Sequence, residues 1–141
     1  MIFVEEKEFN NQIALLSFLA ESGDYNICAW IYPEQVVSEL IGLSVSGNPL
    51  GLIPVSTYEN RHKPRCTKLL PASKASFRLF SEAKSEIIKN CDSLALYDAD
   101  QVNWIASTIG HEGMCLVQDD RLLNDIIRAG FNASLEAPNW W

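Results

Sequence analysis

The sequence predicts an α/β fold, a parallel sheet of about four to five strands with helices on both faces. Three observations predict it. Short apolar runs recur along the chain, and helical apolar spacing separates most of them, the alternation that builds parallel sheets. Two of the runs, Leu94–Tyr97 and Met114–Val117, stop at paired acids, Asp98/Asp100 and Asp119/Asp120. Each pair reads as the start of an amphipathic helix, and a buried strand ending in a carboxylate before a helix is how open α/β sheets build sites at their carboxyl edge. The third is length: 141 residues fit one domain, 1–141, long enough to bury a substantial core.

Met1–Val4 reads as the first strand and is followed at once by Glu5, Glu6 and Glu8. Ile13, Leu15, Leu16, Phe18 and Leu19 then recur at helical spacing up to Glu21, and Gly23 supplies the stop. Ile27–Tyr32, rich in β-branched and aromatic residues, predicts the second strand. Pro33–Leu40 reads as a helix, because a proline in the first turn forfeits no hydrogen bond. Val36, Val37 and Leu40 share a face of it, with Glu39 beside them. Leu43–Thr57 predicts an inserted hairpin, residues 43–57, around a Gly-Asn-Pro-Leu-Gly turn.

Tyr58–Ala72 is polar and basic with two prolines and reads as a loop. Ser73 is the N-cap of a helix to about Asn90, with Phe77, Phe80, Ile87 and Ile88 along one stripe. Ser93–Tyr97 and Met114–Gln118 are the third and fourth core strands. The last helix runs from Asp120 to Ala129, with Leu122, Leu123, Ile126 and Ile127 inward and Gly130 as its cap. Asn132–Leu135 adds an edge strand, and Trp140-Trp141 is expected to pack on the body or on a partner.

Composition narrows the function. Hydrophobic content of 48% and charged content of 21% are ordinary for a folded domain, and no apolar run approaches the ~20 residues that span a bilayer. The acids of MIFVEEKEF stand where a signal peptide has basic residues. Cys28, Cys66, Cys91 and Cys115 form no C-x-x-C pair, and Cys28 and Cys115 lie inside apolar runs. A reducing, cytoplasmic protein without membrane contact is expected. Net charge is −7, which argues against DNA binding by the whole surface. The cations are nonetheless concentrated: between Asn60 and Ser81 there is no acid, but there are Arg61, Lys63, Arg65, Lys68, Lys74 and Arg78. That segment suits either phosphate contact or a solvated loop and helix face.

The paired acids carry the chemistry. Clustered carboxylates repel one another unless a cation or protons neutralise them. Asp98-Ala99-Asp100 and Asp119-Asp120-Arg121, together with the P-x-x-V-x-x-E-L pattern from Pro33 to Leu40, resemble the acid motifs of PIN-domain nucleases. The resemblance covers most of the chain outside Leu43–Ala72. It implies a PIN-like fold and a metal-dependent ribonuclease cutting single-stranded RNA, of the bacterial toxin–antitoxin kind or a stand-alone relative. Glu39, Asp98 and Asp120 would be its catalytic ligands, and Glu5, Asp100 and Asp119 further ligands to Mg²⁺ or Mn²⁺. Arg61, Lys63, Arg65 and Lys68 would hold the RNA. A protein antitoxin and a homodimer are the implied partners. At the first motif Glu5-Glu6-Lys7 departs from the family's aspartate followed by a small hydroxyl residue.

Each acid also has a plainer role. Asp98 with Gln101 has capping-box spacing, and Asp119 fits a helix cap. The alternative function is a PIN-like binding or assembly module without chemistry. His111 reads as exposed in a turn between helix and strand, and His62 with Cys66 supplies only half of a zinc spacing.

Overall fold

A computed structural model describes residues 1–47, 65–100 and 103–141. Their strands form one ten-stranded sheet in which every pairing is antiparallel. In chain order the elements are β1 (Ile2–Glu5), α1 (Phe9–Ala20), β2 (Asn26–Ile31), β3 (Glu39–Leu40), β4 (Leu43–Gly47), β5 (Arg65–Thr67) and β6 (Leu70–Pro71). Then come α2 (Lys74–Glu82), α3 (Lys84–Asn90), β7 (Cys91–Tyr97), β8 (Trp104–Ile109), β9 (Met114–Val117), a 3₁₀ turn (Asp120–Leu122), α4 (Leu123–Arg128) and β10 (Ala133–Ser134). Across the sheet the order is β10-β1-β9-β8-β7-β2-β5-β4-β3, with β6 also paired to β2.

The expected parallel sheet of about four to five strands is therefore overturned. The reason lies in the connections. Residues 98–103 join β7 to β8, and residues 110–113 join β8 to β9; a parallel neighbour needs a crossover of about a dozen residues or more. The helix expected after Asp98 is strand β8 instead. Trp104, Ile105, Thr108 and Ile109 are aromatic or β-branched, which favours a pleated surface over a helix. The helix expected over Pro33–Leu40 is a turn and an extended segment leading into β3. There the carbonyls of Gln35 and Val37 accept from the Arg65 guanidinium, and Ser38 O accepts from Val45 N at 3.2 Å. Those carbonyls are thereby committed to Arg65 and Val45 rather than to the i+4 amides of a helix. Val36, expected to share a face with Val37 and Leu40, is 96% exposed whereas Leu40 is buried.

The hairpin expected at 43–57 contributes β4, which is no appendage: it pairs with β3 on one side and β5 on the other. Residues 48–57 lie outside the described residues. The loop expected over 58–72 contains β5 and β6, so part of it belongs to the sheet.

Helices on both faces are not observed among the described residues. Leu15, Leu16 and Leu19 of α1, Phe77 and Phe80 of α2, Ile87 of α3 and Ile126 of α4 all join one core. Sheet residues such as Ile27, Ile31, Leu94 and Leu96 complete it. The opposite face is a second cluster of strand and loop residues around Trp30, Tyr97, Trp104 and Leu116. Trp30 Nε1–H donates to the Tyr97 hydroxyl there at 3.1 Å, which satisfies both buried polar groups. As expected, Ser73 caps α2, accepting from Ser76 N, and Gly130 at φ +99° closes α4. No helix of the described residues is long and apolar enough to cross a membrane.

Candidate functional site

The antiparallel sheet sorts the predicted carboxylates into separate places. Tyr97 pairs with Trp104 and Ala106 with Val117, so β7 and β9 end at the same sheet edge with β8 between them. Asp98/Asp100 and Asp119/Asp120 thus share that edge, two strand spacings or ~10 Å apart. Glu5 pairs with Met114 at the far end of β1. Glu39 sits on β3, four strand spacings or ~19 Å from β7.

The acids at the shared edge already have partners. Asn103 Nδ2 donates to Asp98 Oδ2 at 3.0 Å and to Asp100 Oδ2 at 3.4 Å. Asp119 accepts from Arg121 Nε at 2.9 Å, from its NH2 group at 2.8 Å and from its backbone N at 3.1 Å. Arg121 holds the Asp119 carboxyl down at about 2. Asp120 pairs with the Met1 amino group. Among the described residues no three His, Cys, Asp or Glu side chains are grouped to hold a metal ion. Of the predicted RNA contacts, Arg65 is bound to backbone carbonyls and Lys68 is exposed. Arg61 and Lys63, like His62, lie outside the described residues.

A different group lies at the opposite end of the sheet. A cavity of about 210 Å³ opens between the start of α1, the end of α3, the start of β7 and the β8–β9 turn. Phe9, Ile87 and Leu94 give it apolar wall, and Lys7, Tyr32 and His111 give it polar wall. Behind it stands Asp92, whose side chain has no solvent exposure and whose Oδ1 is bonded to Nδ1 of His111. Asp92 Oδ2 is buried with no hydrogen-bond partner.

Backbone geometry sets this pair. Gly110 N donates to Asp92 O at 2.7 Å, and a Cβ at Gly110 would stand 3.0 Å from that oxygen. Glu6 N donates to Gly113 O at 2.9 Å. Gly113 adopts φ +65°, and a Cβ there would come within 2.7 Å of Lys7 Cγ. Glycine at both positions lets the turn carrying His111 press against β7 and the β1–α1 link.

The His111 side chain is 40% exposed, so a buried carboxylate grips one ring nitrogen while the other edge meets solvent. That arrangement fixes ring orientation and leaves Nε2 to exchange a proton. Glu112 Oε1 lies 3.5 Å from Nε2, and the other oxygen of Glu112 accepts from the Trp141 indole N–H. Burial, with the Asp92 charge beside it, pushes the Tyr32 hydroxyl up to about 12. Burial, with Glu86 nearby, pushes the Cys91 thiol up to about 12 as well. Cys91 therefore stays a thiol and supplies no nucleophile at neutral pH.

Sequence reasoning missed this site. The expected strand begins at Ser93, one residue past Asp92, and His111 reads as an exposed turn residue. One signal was present: Asp92 is the sole charged residue of Cys91–Tyr97, all seven of which are buried. A lone acid in such a strand requires a partner. No family model, no curated protein and no solved structure matches the chain.

Proposed function

We propose that the protein is an enzyme in which His111 acts as general acid–base on a small substrate held in the adjoining cavity. The observation that carries this is the fully buried Asp92 carboxylate bonded to Nδ1 of a partly exposed imidazole. Such a carboxylate orients the ring and stabilises the imidazolium formed when Nε2 takes a proton. Lys7 on the cavity wall offsets negative charge that develops on the substrate. Without an activated thiol in the wall, the ring works on water or on the substrate's own proton. Hydrolysis of p-nitrophenyl acetate tests the proposal. His111→Gln is expected to lower the rate about a hundredfold, and Asp92→Asn to lower it less. A wild-type rate no faster than that of His111→Gln would overturn it.

A second reading is a carboxylate-held Mg²⁺ or Mn²⁺ site cutting single-stranded RNA. Two observations favour it: Asp98/Asp100 and Asp119/Asp120 share one sheet edge, and Asp98 Oδ1 is buried without a partner. Glu39 and Glu5 stand outside that edge, so the ligand set would be narrower than the acid motifs imply. EDTA-sensitive RNA cleavage that is lost in Asp98→Asn would support it; wild-type protein inert with Mn²⁺ would remove it.

A further inference from the structure

We propose that Trp141 is a positioning residue for His111, holding Glu112 back from a direct hydrogen bond to Nε2 of the ring. This rests on the acid–base role of His111. Glu112 follows His111 directly in the β8–β9 turn, and its Oε1 stops 3.5 Å from Nε2, beyond a good charge-assisted hydrogen bond. What restrains it is visible: Glu112 Oε2 accepts from the Trp141 indole N–H. The indole is itself fixed. Its ring meets Phe3 of β1 edge-on, with centroids 5.3 Å apart, and Trp141 N donates to Pro138 O at 3.0 Å. The indole bond thus links the turn to β1, on the side of the turn away from β8.

Without the indole N–H, Glu112 has only side-chain torsions to turn before its carboxylate closes on Nε2. A closed Glu112 would compete with substrate for that nitrogen. The Glu112 carboxylate, now 3.5 Å from Nε2, would then bond it directly while Asp92 holds Nδ1, a closer arrangement that favours the charged ring more strongly. The other titratable groups on the cavity wall are Lys7, Tyr32 and Cys91. They belong to other elements, and loss of the indole leaves them in place.

The test compares Trp141→Phe, Glu112→Gln and the double variant. Phenylalanine keeps an aromatic ring against Phe3, though a smaller one, and has no N–H donor. Two quantities are read: p-nitrophenyl acetate hydrolysis, and the His111 titration midpoint from its ring proton resonances. Trp141→Phe is expected to lower the rate about tenfold and raise the midpoint by about one unit. Both effects should vanish when Trp141→Phe is made in the Glu112→Gln background, because the neutral amide has no charge to place on the ring. An unchanged midpoint in Trp141→Phe, or a defect that persists in the double variant, would overturn the proposal. If wild-type protein shows no His111-dependent hydrolysis, the acid–base proposal fails on that readout, while the titration still decides whether Trp141 governs Glu112.

Discussion

A carboxylate cut off from solvent needs a partner, and the one bonded to Asp92 Oδ1 is the His111 imidazole. Its second oxygen has no hydrogen-bond partner, and the Tyr32 hydroxyl stands near the same carboxylate. Removing the imidazole strands a buried charge, and His111→Ala should destabilise the fold by about 2–3 kcal/mol. Adding Asp92→Asn to that variant should recover part of the loss, since a neutral amide is cheaper to bury than an unpaired carboxylate. Urea unfolding of the single and double variants measures both changes. Additive losses would show that the two side chains contribute independently.

The start of the last helical segment shows how an element depends on one acid. Asp119 caps the 3₁₀ turn and grips Arg121, which lowers its carboxyl from the ordinary 3.8 to about 2. A depressed folded value means the unfolded chain takes up the proton first as pH falls. Stability from this cap is therefore complete above about 4, declines below it, and is gone once pH has fallen through about 2. Protection of the α4 amides, relative to their intrinsic exchange rates at each pH, should fall over that window, and Asp119→Asn should flatten the dependence. Legibility divides at the same scale. β1, α1, β2, β9, α4 and the Ser73 cap were legible because short-range pattern and punctuation decide them. β8 was hidden behind Asp98, whose capping-box spacing mimics a helix start, although its carboxylate takes the Asn103 side chain instead. β3 was hidden because the conformation of Pro33–Ser38 is set by Arg65, far along the chain, and by the bond from Val45 of β4. The Asp92–His111 pair is a property of the antiparallel β7–β8–β9 meander, so a parallel topology could not reveal it.

Over the whole molecule, two apolar layers enclose the cysteines. Cys28, Cys66, Cys91 and Cys115 are all buried, and none of them is in a disulfide. Cys28 is raised well above its ordinary value, chiefly by its hydrogen bond to Cys66 and by burial, and burial likewise raises Cys115. Thiols in that state do not ionise near neutrality, and the thiolate is the reactive form. Native protein at pH 8 should therefore show almost no reaction with Ellman's reagent, whereas urea-unfolded protein should titrate all four. The labelling rate at intermediate urea then follows global opening. Fast labelling of even one thiol in native buffer would mean that a layer opens locally.

The shortness of β10 bears on how the protein behaves when concentrated. Among the described residues, Ala133–Ser134 is the only strand that borders β1 on its outer side, and β1 is the apolar strand Ile2-Phe3-Val4-Glu5. A two-residue stub offers an arriving chain almost no ladder to extend, which is how open sheets avoid growing into fibrils. It is also a thin guard. Clipping near Asn132 would bare β1 along its length, and a protein stored or expressed with a frayed end should fail first by intermolecular strand addition at that margin.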